Sequence, residues 1–533
     1  MRIHKFNAIF LITTLAIASQ TALANPNSYT HLNGSTVVDI NKADANGLSH
    51  NMWSEFNVGK KGMVLNNSTE NLVRDSGNIA KNNSLDTAAK VILNEVISNK
   101  ASTLSGFIEV AGQKADVIIA NPNGITCSGC SFINTSRSTL TTGTPVTVDG
   151  ALTGFNVTQG RVTIDKSGLK NEQSYTDILA ETVRINGLVE TDSLKAVAGK
   201  YSWDSASGTA TSAGGHTLFT TAIDVGALGG VTAGVIQLQT TKAGIGVNNN
   251  GTLSADSIQI ASNGSLTNAG VIKASSSAVL STAASMNNSG SIAGKNVQLT
   301  SSTTLSNSGT VKADGVLYTL AAGKISNSAK GTLSGTGANQ IVSYAGDIEN
   351  KGVIESEGAV YARSGYMPNE SYVLTPVANT SIINTGSISG ATGVTLQATK
   401  AINLTAGSID SQATAYLGAA TVNNAGTLNG NNITVYSNTF ENSGTLQAAN
   451  QLTVTGVNGI SNYGTLEGKT LTLNTEGEIN SASCSWLVLC KKGTLSAETL
   501  TINAPTVSKV SDLDGNIIAQ VIELNKPASA TGL

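Results

Sequence analysis

Residues 266–311 read LTNAGVIKASSSAVLSTAASMNNSGSIAGKNVQLTSSTTLSNSGTV, a stretch in which Asn-x-Gly followed closely by an apolar residue occurs three times. With the preceding copy included, the glycines of these phrases are 19, 20 and 19 residues apart: Gly251, Gly270, Gly290 and Gly309. A period near twenty is typical of a repeat whose units are short strands joined by tight turns. Glycine supplies the backbone freedom that such turns need, and asparagine tolerates the same region.

The same phrase continues through the C-terminal half of the chain. The first copy is assigned to Asn250-Gly251, and later copies begin at Asn350, Asn384, Asn424, Asn442 and Asn462. The alternating Leu, Ile and Val residues are expected to point inward and stack on their equivalents in the next coil, since one coil cannot bury its apolar face alone. Asparagine side chains at equal heights are expected to form ladders. About thirteen coils of this kind would form a rod of roughly 60 Å.

The predicted fold class is therefore all-β, a right-handed parallel β-helix or solenoid. Only 12% of the residues are charged and 4% are aromatic, and small polar residues alternate with aliphatic ones, as in stacked strands. A leucine-rich repeat would need a denser leucine pattern and a helix in each unit. A propeller would need units of about forty residues with Trp-Asp or other aromatic markers, which the repeat lacks.

The N-terminus has the pattern of a secretory signal peptide. Arg2, His4 and Lys5 precede an apolar run over residues 8–18, and Ala22-Leu23-Ala24 supplies small residues for a signal peptidase. The signal peptide is assigned to residues 1–24, and the mature chain is expected to begin at Asn25. A membrane anchor is the alternative, but the apolar run is short for a bilayer core of about 30 Å.

The four cysteines form two local pairs, Cys127 with Cys130 and Cys484 with Cys490. In an oxidising compartment, close pairs indicate disulfides. A zinc site would need the two pairs together, and they lie more than 350 residues apart in a chain with few histidines. We therefore predict two disulfides and no metal.

Other functional classes find little support in the sequence. The net charge is −3 and no long basic stretch is present, so nucleic acid is not an expected partner. No nucleophile elbow or metal motif appears, so we predict that the protein is not an enzyme and uses no cofactor. A polysaccharide-degrading β-helix is the remote alternative, and the densest carboxylates for it are Asp347, Glu349, Glu355 and Glu357.

The N-terminal part is less regular than the repeat. Apolar residues near helical spacing predict one helix, roughly over Ser84 to Ile97. The strongest local phrase comprises Asn121, Pro122, Asn123, Gly124 and Ile125. Proline presets the second position of a turn and Asn-Gly accepts the positive-φ positions, so this phrase predicts a rigid turn between two strands.

The second cysteine pair lies in an interruption of the repeat. The pattern assigns the next Asn-x-Gly copy to Asn480, with an insertion over residues 481–492 before Gly493. One interpretation is a disulfide-closed loop that projects from a coil. The other is an exposed apolar tip, with Trp486 at its centre, that touches a receptor or a membrane.

The phrase around Asn121 also carries a family resemblance. Residues 118–125, followed by Cys127, Cys130, residues 132–137 and residues 140–143, resemble the secretion domain of filamentous haemagglutinin-type exoproteins of two-partner secretion systems. The phrases at residues 49–51, 56–58, 66–68 and 92–96 also look like that family, and residues 222–246 look like its closing segment. The Cys-x-x-Cys after the turn looks most like the secreted haemolysin branch.

The resemblance implies an architecture and a mechanism. It implies a signal peptide at 1–24, a secretion domain at 25–245 with extra-helical elements, haemagglutinin-type repeats at 246–505 and a tail at 506–533. It also implies export across the Gram-negative outer membrane by a TpsB-type transporter, whose periplasmic domains recognise the unfolded chain. In that family, the turn that matches Asn121–Ile125 is tied to recognition by the transporter and to nucleation of the β-helix.

The implied product is a secreted or surface-exposed adhesin that contacts host or neighbouring cells. The alternative is a haemolysin or cytolysin, or its secretion-competent N-terminal part. The short spacing of both cysteine pairs agrees with export, because the loops they enclose are small enough to thread through a narrow pore.

Overall fold

The computed structural model describes residues 25–75, 77–214, 219–369, 373–484 and 490–526, and almost all of their regular secondary structure is β-strand. The proposed signal peptide, residues 1–24, lies outside the described residues. A 3-10 turn occurs at Val510–Asp512. In the part of the chain that is described, no helix has the length and apolarity needed to cross a membrane.

The strands follow one another with short connections. In the first part they are β1 Ser28–Thr30, β2 Thr36–Asp39, β3 Leu48–Trp53, β4 Met63–Asn67, β5 Val91–Val96, β6 Ser102–Leu104, β7 Phe107–Gly112, β8 Ala115–Ala120, β9 Ile125–Cys127, β10 Cys130–Ile133, β11 Thr135–Thr141, β12 Thr144–Val148, β13 Ala151–Val157, β14 Arg161–Ile164, β15 Leu169–Ala180, β16 Thr182–Ile185, β17 Leu188–Ala198, β18 Tyr201–Asp204, β19 Thr209–Ser212, β20 Thr221–Val225, β21 Gly230–Thr232, β22 Val235–Thr240 and β23 Gly246–Asn249.

The later strands are β24 Thr252–Ser262, β25 Leu266–Asn268, β26 Val271–Thr282, β27 Met286–Asn288, β28 Ser291–Gly294, β29 Asn296–Ser301, β30 Leu305–Asn307, β31 Thr310–Ala313, β32 Val316–Ala321, β33 Ile325–Asn327, β34 Thr332–Gly335, β35 Ala338–Ser343, β36 Ile348–Asn350, β37 Val353–Ser356, β38 Ala359–Ser364, β39 Tyr366–Pro368, β40 Leu374–Pro376, β41 Ser381–Asn384, β42 Ser387–Gly390, β43 Gly393–Ala398, β44 Ala401–Leu404, β45 Ser408–Asn424, β46 Thr427–Asn442, β47 Thr445–Asn462, β48 Thr465–Asn474, β49 Glu478–Asn480, β50 Ala482–Cys484, β51 Cys490–Lys492, β52 Thr494–Asn503 and β53 Asn516–Asn525.

Most of these strands belong to one parallel solenoid with three strand columns, which we call A, B and C. A typical coil uses β27 in column A, β28 in column B and β29 in column C, and each strand pairs in parallel with its equivalent in the next coil. The long strands, such as β45, bend through more than one column. The predicted parallel β-helix is confirmed, while its hand stays a prediction.

Inward-facing aliphatic residues form one continuous core along the solenoid. In each coil, residues such as Leu305 in column A and Val311 in column B are about 1% exposed or less and stack on their equivalents above and below. Full burial of such a side chain contributes about 1.5–3 kcal/mol. The core therefore depends on stacking between coils, as the periodicity predicts.

A ladder of buried asparagines runs along column A. Each Nδ2 donates to the Oδ1 of the next asparagine, at 2.7–2.9 Å, through Asn249, Asn268, Asn288, Asn307, Asn327, Asn350 and Asn384, and then through Asn424, Asn442 and Asn462. The ladder predicted from the repeat is present, but some of its members differ from the residues that the sequence pattern assigns. Its first member is Asn249 and not Asn250, because Asn249 is the residue that pairs with Asn268.

Two further members of column A were not identified from the sequence. Asn327 belongs to the ladder although its turn has two extra residues before Gly331, which hides the Asn-x-Gly phrase. Leu404 occupies the position between Asn384 and Asn424 and divides the ladder into two runs. The turn that follows Leu404 contains Ala406, whose φ of 64° is in the left-handed region.

The assignment of the next repeat to Asn480 is wrong. Asn480 pairs with Ser461, so the ladder position after Asn462 falls on Ser481, which is buried. The repeat phrase is thus Ser481 followed by an insertion and Gly493, whose N–H donates to the carbonyl of Ser481 at 2.8 Å. The insertion begins one residue later than the sequence suggests.

The helix predicted over Ser84 to Ile97 is also wrong. Residues 91–96 form β5, which pairs in parallel with β3 and β8, and the preceding residues form turns. The side chain of Asn67 holds this segment from the neighbouring coil, because its Oδ1 accepts from the Ala89 N–H at 2.7 Å and its Nδ2 donates to the Ala89 carbonyl at 2.9 Å. Pairing with two neighbouring coils outweighs the local helical pattern.

Several strands lie outside the solenoid. β1 pairs antiparallel with β2, while β12, β13, β18 and β19 form a four-stranded antiparallel sheet. This sheet packs Phe155, Tyr201 and Trp203 onto the outward side of column C in the N-terminal half. Two hairpins, β39 with β40 and β50 with β51, project from later coils. These elements are the kind of extra-helical structure that the family resemblance implies.

Residues 516–525, which the sequence analysis assigns to a tail, form β53 and extend the solenoid. β53 pairs in parallel with β52, with Leu495 opposite Ile517 and Leu500 opposite Ile522. The segment lacks the Asn-x-Gly phrase, but its alternating aliphatic residues supply the inward face that a further coil needs. The other domain boundaries stay predictions.

Candidate functional site

The Asn121–Ile125 phrase forms a tight turn between β8 and β9. The N–H of Gly124 donates to the carbonyl of Asn121 at 3.0 Å, which closes the turn. Gly124 has a φ of +112°, a conformation that residues with a side chain rarely adopt. The turn predicted from Pro122 and Asn123-Gly124 is therefore present at the predicted residues.

The side chain of Asn121 is completely buried and joins neighbouring coils. Its Nδ2 donates to the carbonyl of Lys100 and to Oγ of Ser102, both at 2.9 Å. Its Oδ1 accepts from the backbone N–H and the side-chain Nδ2 of Asn123, both at 3.0 Å. Its backbone N–H donates to the carbonyl of Thr141 in the following coil at 2.9 Å. All the hydrogen-bonding groups of Asn121 are thus used within the fold.

The remaining residues of the turn are also anchored. Asn123 Nδ2 donates to the carbonyl of Ser98 at 2.7 Å. Ile125 is 1% exposed and lies in column A between Ser102 and Val162. Only Pro122, Asn123 and their backbone are partly accessible in this turn. The folded turn therefore presents little of its sequence to another protein.

The partners of Asn121 were not identified from the sequence. Lys100 and Ser102 lie about one coil earlier, and Thr141 lies one coil later. The sequence contains no local signal for these contacts, because the coil length in this region is irregular. Thr141 was singled out through the family resemblance alone.

Cys127 and Cys130 form a disulfide directly after the turn, with their Cα atoms 5.3 Å apart. Cys127 lies in column A and both residues are at most 1% exposed. Within the small loop, Ser128 N–H donates to the carbonyl of Leu104 at 2.7 Å and Gly129 N–H donates to that of Gly168 at 3.0 Å. The disulfide therefore forms a corner between columns A and B and links the coils on both sides.

Cys484 and Cys490 face each other in the antiparallel pairing of β50 and β51. Their side chains, and residues 485–489 between them, lie outside the described residues. The second disulfide and the apolar tip at Trp486 therefore stay predictions.

Other family-like phrases also supply buried polar contacts. Asn94 Oδ1 accepts from the indole N–H of Trp53 at 3.1 Å, and the imidazole of His50 lies 2.7 Å from the carboxylate of Glu95. Asn66 Nδ2 donates to Asp39 at 2.7 Å. These side chains fix the register of the first coils and are not arranged around a cavity.

The four carboxylates proposed for polysaccharide chemistry do not lie together. Glu349 is in column A, where it forms an ion pair with Lys324 at 2.6 Å, and Asp347 accepts from the Ser381 N–H at 2.8 Å. Glu355 and Glu357 lie along column B in a shallow groove of about 430 Å³. Among the described residues, no cluster of three or more His, Cys, Asp or Glu side chains could hold a metal ion.

Comparison with known proteins gives a consistent assignment for the N-terminal half. Residues 16–274 match the family model of the TPS secretion domain. The chain is 36% identical over 297 residues to a toxin CdiA of Yersinia pestis, covering 53% of this chain and 9% of that protein. It is 41% identical over 242 residues to a tRNA nuclease CdiA of Yersinia mollaretii, covering 44% of this chain and 8% of that protein.

Among solved structures, the chain is similar to a filamentous hemagglutinin secretion domain. That structure is 33% identical and has a TM-score of 0.45, and the match covers 51% of this chain and 93% of that domain. The chain spans less than a tenth of the length of the two CdiA relatives.

Proposed function

Residues 16–274 are a TPS secretion domain of a two-partner secretion exoprotein, and on that premise we propose that the whole chain is a secreted adhesin without catalytic activity. Exoproteins of this kind are secreted through the outer membrane, and the domain implies recognition by a TpsB-type transporter. The adhesin is exported after removal of residues 1–24, and its repeats contact the surface of host or neighbouring cells.

The burial of Asn121 is the observation that carries the export mechanism. Its amide, its carbonyl and its backbone N–H all have partners inside the fold, and Ile125 is in the core. A transporter domain can bind these side chains only before the neighbouring coils bury them. We therefore propose that recognition precedes folding and that the turn then forms one of the first links between coils.

The adhesin role rests on the uncovered faces of the repeat. From β22 onward, the outward side of column C is a continuous sheet surface that no other described element covers, apart from the β39–β40 hairpin at its edge. A long and regular surface that bears few charges suits contact with an extended partner.

Secretion and recognition are tested together with Asn121→Ala, and Asn82→Ala is the matched control. Asn82 is equally buried in the same domain, donates to the carbonyls of Ile40 and Asn66 at 2.8 and 3.0 Å, and accepts from the Ser84 N–H at 2.9 Å. The full chain is co-expressed with a family transporter, and secreted protein is quantified. Binding of the urea-unfolded chain to the transporter's periplasmic domains is measured in parallel.

We expect Asn121→Ala to weaken transporter binding of the unfolded chain, whereas Asn82→Ala leaves that binding unchanged and lowers only the stability of the folded protein. Equal binding by both variants would show that Asn121 is purely structural. Tight binding of the transporter domains to the folded wild-type chain would contradict recognition before folding.

The adhesin role is tested on red cells exposed to the secreted chain, with cell-bound protein and released haemoglobin recorded in the same tube. Binding without haemoglobin release is expected. Release would establish the cytolysin alternative, and the absence of both would contradict a cell-surface role on these cells.

A further inference from the structure

The outward surface of column C is covered in the N-terminal half of the solenoid and uncovered in the later coils. In the N-terminal half the four-stranded antiparallel sheet covers it, with Phe155 and Trp203 packed against Leu93, Ile118 and neighbouring residues. The cover ends at β17, where Lys195 lies beneath Trp203. The equivalent position in the next coil, Gln237, begins an uncovered run.

That uncovered run carries no charge. From Gln237 to Thr501, the residues at this position of successive coils are all Gln, Val, Tyr or Thr. The outward residues of column B differ, because they include Lys312, Glu355 and Asp410. Column C therefore favours an uncharged partner, because a polyanion or polycation would form no ion pairs along this position of the column.

Within the run, tyrosines recur at every second coil. We call the set Gln298, Tyr318, Gln340, Tyr361, Thr395 and Tyr416 the tyrosine column. Strands about 4.8 Å apart place successive tyrosines roughly 9.6 Å apart along the axis. The rings are not next to each other, so they do not form the cross-strand aromatic pairs by which a sheet usually gains stability from such residues.

The local geometry leaves Tyr361 exposed and Tyr318 and Tyr416 partly exposed. A Cβ on Gly418 would lie 2.8 Å from the hydroxyl oxygen of Tyr416 and 2.9 Å from a ring carbon, so the ring lies flat over the strand at that glycine. Tyr361 is 45% exposed. On one side of the column, the outward positions hold Val316 and then the small residues Ala338, Ala359 and Gly393. On the other side they hold the larger residues Leu320, Val342, Arg363 and Gln397.

We propose that the tyrosine column binds a neutral, extended polysaccharide that lies along the solenoid axis. The inference rests on the proposed adhesin function and names the class of its cell-surface ligand. The apolar face of a pyranose ring stacks on a flat aromatic ring, and every second sugar of an extended chain repeats at a distance close to the tyrosine spacing. Gln340 and Thr395, between the rings, offer donors and acceptors to the sugar hydroxyls.

Arg363 is consistent with an uncharged polysaccharide as the ligand. It is the charged residue on the adjacent outward position, and its Nε donates to Oε1 of Gln397 at 2.9 Å. Part of the guanidinium is thus occupied within the sheet. A single cation does not match the repeated charges of an acidic polymer.

The periodicity supplies a sharp test. Thr453 lies two coils beyond Tyr416 in the same column, and Thr434 lies one coil beyond it. Thr453→Tyr adds a fourth aromatic ring and keeps the spacing of two coils between tyrosines. Thr434→Tyr instead places a ring only one coil from Tyr416. Both replace a partly buried threonine at the same position of column C. Their neighbours differ, because Thr453 accepts a hydrogen bond from Gln451 Nε2 at 3.4 Å and Thr434 has the exposed Tyr436 beside it on the same face.

The purified full chain is titrated with cellohexaose, mannohexaose and xylohexaose, and with polygalacturonate as a charged comparison, by calorimetry. We expect at least one neutral hexaose to bind. Tyr361→Ala is expected to weaken that binding about tenfold, and Thr453→Tyr is expected to strengthen binding of the corresponding polymer while Thr434→Tyr does not. Far-ultraviolet circular dichroism confirms that each variant is folded.

The outcomes separate this inference from the proposed function. Cell binding that persists unchanged in Tyr361→Ala, without binding of any neutral glycan, would refute the tyrosine column and leave the adhesin standing. Preferred binding of polygalacturonate, or equal gains from Thr434→Tyr and Thr453→Tyr, would also overturn it. Glycan binding without cell binding would retain the site and contradict the adhesin function.

Discussion

The asparagine ladder predicts a local and measurable loss of stability when one member is removed. Asn307 is 1% exposed, and its Nδ2 donates to Gly309, Asn327 and Thr332 at 3.1, 2.9 and 3.2 Å. Its Oδ1 accepts from Asn288 at 2.8 Å. Asn307→Ala removes these bonds and leaves Asn327 Oδ1 without its ladder donor.

The magnitude follows from these contacts. Each of the two asparagine–asparagine bonds contributes roughly 1 kcal/mol net, and the unpaired oxygen costs roughly 1–2 kcal/mol more, so the total is about 3 kcal/mol. A stacked repeat does not unfold in one cooperative step, so a single melting temperature is not the right measure. Local opening measured by amide hydrogen exchange is the appropriate quantity.

We therefore expect the amides of β30 and β33 to exchange about a hundredfold faster in Asn307→Ala, measured by mass spectrometry on peptides from these coils. Ser306→Ala, an exposed neighbour on the same strand, is the control and should leave exchange unchanged. Asn307→Leu fills the space without the hydrogen bonds and should still speed exchange at least about tenfold. Wild-type protection in the leucine variant would refute a net contribution from the ladder.

Three further predictions concern single sites. Ala406 has a φ of 64°, so Ala406→Gly should stabilise its coil by about 0.5–1 kcal/mol, seen as slower amide exchange in β44 and β45. Burial raises the pKa of Asp116 above its usual 3.8 although the nearby Arg137 opposes the shift, so this carboxylate costs stability as the pH rises through the raised value. Asp116→Asn should therefore slow amide exchange in β8 at pH 7, and this gain in protection should vanish below about pH 3.8, whereas a gain that does not change with pH would contradict the assignment. Replacing both Cys127 and Cys130 by alanine should cost about 2 kcal/mol through loss of the closed loop, measured as faster exchange in β9 and β10.

The parts of the fold that were predictable from the sequence are those that repeat. The twenty-residue period, the inward aliphatic residues and the asparagine ladder all have local signals that recur many times. The Asn121–Ile125 turn was also predictable, since proline and Asn-Gly select its backbone conformation.

Register and irregular segments were not predictable in the same way. Asn480 is the last asparagine before the insertion and was therefore assigned to the ladder, yet the neighbouring coil places Ser481 in the ladder. Residues 84–97 have apolar residues near helical spacing. Their structure is decided instead by contacts with other coils, namely the hydrogen bonds from the Asn67 side chain to Ala89 and the pairing of β5 with β3. The partners of Asn121 in other coils lie about twenty residues away on either side: Lys100 and Ser102 bond its side chain, and Thr141 bonds its backbone N–H. In each case the deciding contact depends on which coil lies next, which a local pattern does not encode.

The ladder also has a direction, and the direction bears on export. The inward position of column A is apolar through Cys127, Ile164, Ile185 and Val225, and becomes asparagine at Asn249. Every link runs from the Nδ2 of one coil to the Oδ1 of the next, so the Oδ1 of Asn249 has no donor among the residues that the structure describes. A growing stack therefore presents free Nδ2 donors at its C-terminal end.

If the chain emerges with its N-terminal coils first, each new coil brings an acceptor to a donor that is already in place. A slip by two residues would put an aliphatic side chain such as Leu305 opposite that donor and leave it unpaired, at a cost of roughly 1–3 kcal/mol. An all-aliphatic column would stack with less penalty for such errors. Under that order of addition the asparagine column specifies register, and the apolar column that precedes Asn249, where Asn121 and the disulfide provide the links between coils, does not need it.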